Sequence, residues 1–530
     1  MATNDFSTGA KGRSWPLLLV ALVLVLAAGA AVSWYALWQL RAPLLFETFA
    51  VEDKPPIPVE RVRLRDRQDY PAHFLLLPGY IANRRQLLPL AEVLAAAGGD
   101  VFVVDLPGRG DHTGGVSPPE PEGPRAGMPT PREMAAALVV ARALERRFSV
   151  TPDRLVVVGH SMGGGAALDL ARRLSPGATI SLSGLERPVG PGQPPNLLLI
   201  TARFDFPPLR QAADRMYRRA GRAAQRREFL ATHSDLPYHS SVQRAIIDWT
   251  NRTLPGTSLR VPRHFNTSLL VLAAMTLLFL GALFFPLSAL AGWALANEPF
   301  GEIEPETPLS SWQPLALGAY ALLASGAAVS VLALLRWRDW PLPLGFLGLA
   351  DGDYLASILL LLTLWLLPAL RHQPWVRSWP ETRLKVAAAL ALALYVILAC
   401  GGFLTWQLFD LCPIHPRLLR MLPLFLLFLP YALGEELLVR AYAKSAREER
   451  ALSGFLLWRA AILAAIVYGA LVLWSGAGML VLMAFSLTLL TLVEGLLTTA
   501  LHYTVGSVYA DAVFKSLYLA WLFATVFPLR

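Results

Sequence analysis

The chain has 530 residues, of which 55% are hydrophobic and only 16% are charged. Soluble globular proteins usually carry about 25% charged residues, so this composition excludes an ordinary soluble enzyme, a disordered chain and a disulfide-built scaffold. The net charge of +9 is typical of membrane proteins with Lys- and Arg-rich loops. Basic residues do not cluster with aromatics, so no nucleic-acid partner is expected. Cys400 and Cys412 form neither a CxxC nor a zinc-binding pattern, and no metal or cofactor is expected.

The first apolar run covers residues 15–40 and is long enough to cross a bilayer. It continues through Trp34 and Trp38, which are typical of a membrane interface. The sequence therefore predicts an uncleaved transmembrane anchor over residues 1–41. The alternative is a cleaved signal peptide, for which the small residues 27–31 would be the cleavage site.

Residues 42–264 carry more charge, and short apolar runs alternate there with helical patterns. This alternation predicts an α/β fold with a mainly parallel sheet that is covered on both faces. The predicted strands are His73–Leu77, Val101–Asp105, Leu155–Val158, Thr179–Leu182, Leu197–Thr201 and Glu228–Ala231. The predicted helices include Gln86–Ala97, Pro131–Phe148, Met162–Leu174 and Val242–Thr253.

The strongest motif is G-x-S-x-G, formed by Gly159, Ser161 and Gly163 between a predicted strand and a predicted helix. In that context the serine lies on a sharp, strained turn, and the glycines remove side chains that would clash in it. The helix that begins at Met162 directs its positive end at the site. The motif therefore predicts Ser161 as a nucleophile.

On this kind of sheet the acid follows the serine in the chain, and the histidine comes last. Asp205 ends the predicted strand that begins at Leu197, and His233 follows the last predicted strand. His239 is the alternative base. Asp214 and Asp235 are weaker candidates for the acid, because the sequence favours solvated positions for both.

These residues predict a catalytic triad in which Ser161 attacks a carbonyl, His233 transfers the proton and Asp205 orients the imidazole. The oxyanion would be bound by backbone donors. We expect these donors to be the N–H groups of Met162 and of Tyr80, which lies in the Pro78-Gly79-Tyr80 segment after the first predicted strand.

Residues of about 70–253 resemble the α/β-hydrolase superfamily in its ester and amide hydrolase branch. Leu77–Tyr80 resembles the family's oxyanion segment, with Pro78 in place of the usual histidine. Asp105–Gly110 resembles the family's D-x-P-G-x-G loop. Many relatives carry a helical cap that this chain has no room for, because the 187–195 connection is short. The site is therefore expected to be open or covered by the membrane region.

Residues 265–530 are mostly apolar and predict a polytopic membrane domain of about eight helices. The predicted spans are 267–290, 313–335, 350–370, 384–408, 419–438, 460–475, 477–500 and 505–528. Lys and Arg are more numerous in the loops on one side, including Arg440 and Arg459. This bias predicts a multi-pass protein of the cell membrane with the hydrolase domain outside the cytoplasm.

Glu435, Glu436 and Arg440 lie at a predicted span, where ionisable residues are costly and often functional. The E-E-x-x-x-R pattern resembles the CPBP family of intramembrane proteases, which is related to the CAAX prenyl endopeptidases. Val472 and Lys515 stand where that family's pattern has histidines. We therefore expect a degenerate domain without protease activity, in which the charges form a structural ion pair or hold a lipid headgroup.

The sequence favours a membrane-anchored serine hydrolase that cleaves an ester or amide bond of a small-molecule or lipid (acyl) substrate. Membrane lipid is the expected surrounding partner, and no cofactor is expected. The alternative is a transport or scaffold protein in which the membrane bundle works and the hydrolase domain is a non-catalytic binding module.

Overall fold

The computed structural model describes most of the chain. The described residues are 14–115, 129–295, 314–338, 352–371, 381–405, 415–444, 450–468 and 478–527, with Trp340, Leu344, Leu347 and Leu349 between two of these ranges. Cys412 and Val472 lie outside them.

Eight strands form one sheet in the order β1-β2-β4-β3-β5-β6-β7-β8. The strands are β1 Leu44–Val51, β2 Ile57–Leu64, β3 His73–Leu77, β4 Asp100–Val104, β5 Leu155–His160, β6 Ala178–Leu182, β7 Leu197–Ala202 and β8 Ala224–Phe229. The six strands from β4 to β8 in this order pair in parallel, and β1 and β2 are antiparallel. The predicted mainly parallel sheet is confirmed.

Helices cover both faces of this sheet, and for this reason β3 to β7 are almost entirely apolar and buried. The helices of this domain are α2 Arg84–Ala96, α3 Pro131–Phe148, α4 Met162–Leu174, α5 Pro207–Ala220 and α6 Ser240–Thr253. One apolar core packs α2 and α6 against the sheet, and a second packs α3 and α4 against the other face. The 183–196 connection contains no helix.

The sequence did not predict β1 and β2, and it started β8 four residues too late. These strands lie at the two ends of the sheet, where charged residues are tolerated because one edge or face is solvated. Glu47 pairs with Arg63 across β1 and β2, and Arg226 of β8 pairs with Asp214. Such charged runs lack the apolar signature of central strands.

The remaining helices precede and follow this domain. They are α1 Ser14–Arg41, α7 Phe265–Ala282, α8 Phe284–Ala294, α9 Pro314–Trp337, α10 Gly352–Arg371, α11 Glu381–Thr405, α12 His415–Lys444, α13 Arg450–Tyr468, α14 Gly478–Val505 and α15 Val508–Val526. Within the described ranges, four stretches are long and apolar enough to cross a membrane. They are Pro16–Arg41, Phe265–Ala294, Leu317–Leu335 and Arg417–Arg440.

Several helices differ from the predicted spans, and two of these differences change the count of charged residues in loops. The helix α13 begins at Arg450 instead of residue 460, and α12 extends to Lys444 instead of 438. Arg440 and Arg459, which the loop count placed in loops, therefore lie inside helices. Arg440 can do so because it pairs with Glu436 of its own helix and with Asp511 of α15. Arg459 can do so because it pairs with Glu435 of α12.

The helical bundle, α7 to α15, meets the α/β domain at the ends of its helices. The guanidinium of Arg417, at the start of α12, donates to the carbonyl of Phe527 after α15 (2.6 Å) and to Gly108 of the α/β domain (3.1 Å). Arg420 donates to Leu347, just before α10. The starts of α10 and α12 and the end of α15 are thus on the side of the bundle that faces the α/β domain.

Candidate active site

Ser161 occupies the sharp turn between β5 and α4. Its backbone has φ 55° and ψ −119°, a conformation that costs free energy for any residue other than glycine. A Cβ at Gly159 would overlap the backbone of Gly163, and a Cβ at Gly163 would overlap the Leu77 carbonyl. Both positions therefore require glycine, and the turn presents Ser161 at the carboxyl end of the sheet.

The structure pairs Asp205 with His233. Asp205 follows β7, and its Oδ1 lies 3.0 Å from Nδ1 of His233. The same oxygen accepts a hydrogen bond from the Phe206 N–H (2.8 Å). Burial of Asp205 opposes its ionisation, but the bond to His233 and the charge of that ring outweigh burial and lower the pKa of Asp205. An ionised Asp205 holds the proton on Nδ1, so Nε2 of His233 is the nitrogen free to act as a base.

The alternative residues of the sequence analysis have other partners. His239 is the N-cap residue of α6, and its ring lies 6.5 Å from the Phe229 ring in a tilted arrangement. Asp214 pairs with Arg226 (3.0 Å). Asp235 accepts a hydrogen bond from the backbone N–H of Thr232 (2.6 Å), and so shapes the loop that carries the histidine.

His160 is a site residue that the sequence analysis missed. Its Nε2 donates to the carbonyl of His233 (2.9 Å), and the two imidazole rings are 5.0 Å apart. Burial and the neighbouring His233 lower the pKa of His160 to about 3, so its ring is neutral at pH 7. The available signal was its place as the x in G-x-S, but only the fold reveals which loop it contacts.

The expected oxyanion segment passes directly beside the nucleophile. A Cβ at Gly79 would lie 3.3 Å from the Ser161 Cβ, which brings the Tyr80 backbone close to the reacting hydroxyl. The guanidinium of Arg109 donates to the Tyr80 carbonyl and lies 3.5 Å from the Met162 sulfur. Arg109 therefore contacts both residues that are expected to bind the oxyanion.

Arg109 is itself held firmly. It is 1% exposed, it donates to the Pro107 carbonyl (2.8 Å), and it pairs with Glu133 of α3 (2.5 Å). Next to it, Asp105 accepts hydrogen bonds from the backbone of Arg84 (2.8 Å) and Asp111 (2.9 Å). The Asp105–Gly110 loop is thus fixed by buried charge pairs, whose loss is costly.

The three residues of the expected triad are not joined into one continuous chain of hydrogen bonds. Within the described ranges the structure records the Asp205–His233 bond but none between His233 and Ser161. Such bonds are often long in an enzyme without substrate and shorten when substrate binds.

Glu435 and Glu436 lie at the centre of a buried ionic cluster in the helical bundle. The Lys515 amine of α15 donates to both carboxylates, and Arg459 of α13 bridges Glu435 (2.8 Å) and Glu494 (2.9 Å). Lys515 stands at the position where the CPBP pattern has a histidine. Its amine therefore forms hydrogen bonds with both glutamates.

The cluster continues towards the end of α14. Arg440 lies 3.4 Å from Glu436 and 3.5 Å from Asp511, and His502 lies 2.5 Å from Asp511. The cluster thus contains four carboxylates together with two arginines, one lysine and His502. Among the described residues no group of three or more His, Cys, Asp and Glu side chains is placed to hold a metal ion.

Residues 74–276 match the family model described as Alpha/beta hydrolase family. This segment has the α/β-hydrolase fold. The search of the curated proteins finds no match.

Solved structures also resemble the chain. An α/β serine hydrolase without lid from Xanthomonas campestris is 17% identical with a TM-score of 0.34, over 40% of this chain and 97% of the other. A Pyrococcus furiosus esterase is 13% identical with a TM-score of 0.33, over 40% and 93%. A Thermus thermophilus protein is 19% identical with a TM-score of 0.32, over 40% and 100%.

Proposed function

We propose that this chain is a membrane-bound serine hydrolase that cleaves an ester, or an amide, through an acyl-enzyme. The observation that carries the proposal is the Asp205–His233 hydrogen bond (3.0 Å) beside a serine held in the strained turn of an α/β-hydrolase fold. Neither feature is needed to stabilise the sheet, and the turn costs free energy.

In the acylation step, Ser161 Oγ attacks the substrate carbonyl and His233 Nε2 takes the hydroxyl proton. The carbonyl oxygen becomes an oxyanion, which accepts hydrogen bonds from the Met162 and Tyr80 N–H groups. The tetrahedral intermediate then collapses. The bond to the leaving alcohol or amine breaks, that group takes the proton from His233, and the acyl group stays on Ser161.

In the deacylation step, water replaces the leaving group. His233 takes a proton from the water as it attacks the acyl-enzyme, and it returns that proton to Ser161 Oγ when the carboxylic acid departs. Asp205 remains ionised throughout and stabilises the imidazolium. The pKa of Asp205 supports this role, because the bond to His233 lowers it despite burial.

We place the helical bundle in the membrane and the hydrolase domain outside the cytoplasm. Support for membrane insertion comes from the four described stretches that are long and apolar enough to cross a bilayer. The orientation rests on the excess of Lys and Arg in the loops of the opposite side. Arg440 and Arg459 leave that count because they lie within helices. Lys444 is the last residue of α12 and Arg450 the first of α13, so both stay in it as residues at helix ends, together with Arg447 between them in the sequence.

A fluorophosphonate probe tests the proposal against a non-catalytic binding module. The full-length protein in detergent or vesicles should be labelled at Ser161, and the label should disappear in Ser161→Ala. The matched control is Ser175→Ala, because Ser175 is also a serine with positive φ but lies at the far end of α4; it should keep the label. Absence of labelling in a folded wild-type protein would favour the binding module.

A further inference from the structure

The carboxyl edge of the parallel sheet faces the helical bundle. Ile81, four residues after β3, packs against the apolar core of the bundle. The Gly108 carbonyl, four residues after β4, accepts a hydrogen bond from Arg417 of α12. Asn266 of α7 donates to the carbonyl of Tyr238 (2.7 Å), in the turn that follows β8. The contacts therefore lie towards both ends of this edge.

The catalytic residues lie between these contacts. Parallel strands end at the same edge of a sheet, so Ser161 after β5, Asp205 after β7 and His233 after β8 share the edge that meets the bundle. The connection between β6 and β7, where many hydrolases carry a helical cap, is short here and contains no helix.

Two large apolar side chains at this edge remain uncovered. Phe204, next to Asp205, is 67% exposed, and Leu230, three residues before His233, is 66% exposed. The backbone N–H of Phe204 donates to the Ala231 carbonyl (3.1 Å), so the two segments that carry these side chains run side by side just after β7 and β8. Exposed apolar groups gathered at one site mark contact with an apolar phase or partner.

We propose that the hydrolase acts on acyl esters of membrane lipids, which it takes from the bilayer surface that its catalytic edge faces. Phe204 and Leu230 enter the lipid interface beside the triad, and a long acyl chain reaches Ser161 from the side of the bundle without crossing water. This inference rests on the proposed function and specifies its substrate class.

The test uses the full chain reconstituted in dioleoylphosphatidylcholine vesicles that contain dioleoylglycerol, with p-nitrophenyl acetate as a soluble ester. We expect the wild type to release oleate, and Ser161→Ala to release none. In Phe204→Ser with Leu230→Ser, the ratio of oleate release to p-nitrophenyl acetate turnover should fall at least ten-fold. The matched control is Tyr217→Ser, because Tyr217 is also exposed but lies near the far end of α5; it should leave the ratio unchanged.

The outcomes separate the two levels of the proposal. Turnover of p-nitrophenyl acetate that requires Ser161, without oleate release, would overturn the lipid substrate and leave the hydrolase in place. An unchanged ratio in the double variant would overturn the role of Phe204 and Leu230. No Ser161-dependent turnover of either ester, in folded full-length protein, would overturn the proposed function itself.

Discussion

The guanidinium of Arg109 donates a hydrogen bond to the backbone carbonyl of Tyr80. The same guanidinium contacts the Met162 sulfur, so one buried cation fixes the position of both expected oxyanion donors. Loss of one such donor costs about 10²–10³ in kcat, and displacement of a donor costs less. We therefore propose that Arg109 positions these donors.

We expect Arg109→Lys to lower kcat about ten- to a hundred-fold with little change in KM, because lysine keeps the charge but cannot reach all these acceptors. Steady-state kinetics with a soluble ester would measure the change. Arg132→Lys is the control, since Arg132 also bonds a loop carbonyl but is exposed. A parallel loss of thermal stability without a selective loss of kcat would contradict the positioning role.

The choice between the two histidines gives a second prediction. His233→Ala should reduce turnover by at least about 10⁴-fold, as removal of a triad member does. His239→Ala should keep most of the activity, because His239 is an N-cap residue without contact to Asp205 in the described structure. Wild-type activity in His233→Ala would refute the triad.

The pKa of His160 gives a third prediction. Its folded pKa is about 3 against 6.5 for the free side chain, so the unfolded chain binds a proton below pH 6.5 that the folded chain does not. The free energy of unfolding should therefore fall as pH decreases from 6.5 towards 3, by up to a few kcal/mol. In His160→Gln this fall should be smaller, because glutamine still donates to the His233 carbonyl but does not titrate.

Denaturation midpoints of both proteins between pH 7 and pH 4 would measure the difference. His73→Gln serves as the comparison, because His73 lies at the amino end of β3, away from the triad. Identical pH profiles for the wild type and His160→Gln would show that folding does not lower the pKa of His160, and would contradict the prediction.

The proposed orientation gives a fourth prediction. A protease site inserted at the exposed Gly256 should be cleaved by protease added outside intact cells, and one inserted between Lys444 and Arg450 should be protected. The two insertions lie on opposite sides of the bundle in the proposed topology. The reverse pattern would place the hydrolase domain in the cytoplasm.

The ionic cluster of the bundle gives a fifth prediction, that this region cleaves no peptide. Lys515 donates to both Glu435 and Glu436, and an ammonium cannot accept a hydrogen bond from the water that a general base must activate. A Ser161→Ala protein should therefore leave prenylated and membrane peptides intact. Cleavage by that protein, stopped by Glu435→Gln with Glu436→Gln, would show that the bundle is a protease.

The sequence predicted the central strands and the nucleophile turn because their signals are local. A buried parallel strand is an apolar run, and the turn around Ser161 requires its glycines wherever it occurs. The edge strands β1 and β2 were missed because solvated edges carry charges. Arg109, His160 and Arg459 could not be assigned either, since their partners lie between 24 and 73 residues away in the chain.

The hydrogen bond from Arg417 to the Gly108 carbonyl bears on how this protein can be dissected. Gly108 precedes Arg109, so the bond anchors the loop that holds the oxyanion segment to a helix more than 300 residues later in the chain. A fragment that ends before α7 would lose this bond, and it would expose the apolar surface around Ile81 to water. The oxyanion segment of the excised domain is thus held differently from that of the intact chain. Kinetic constants measured on the fragment would not apply to the full-length protein.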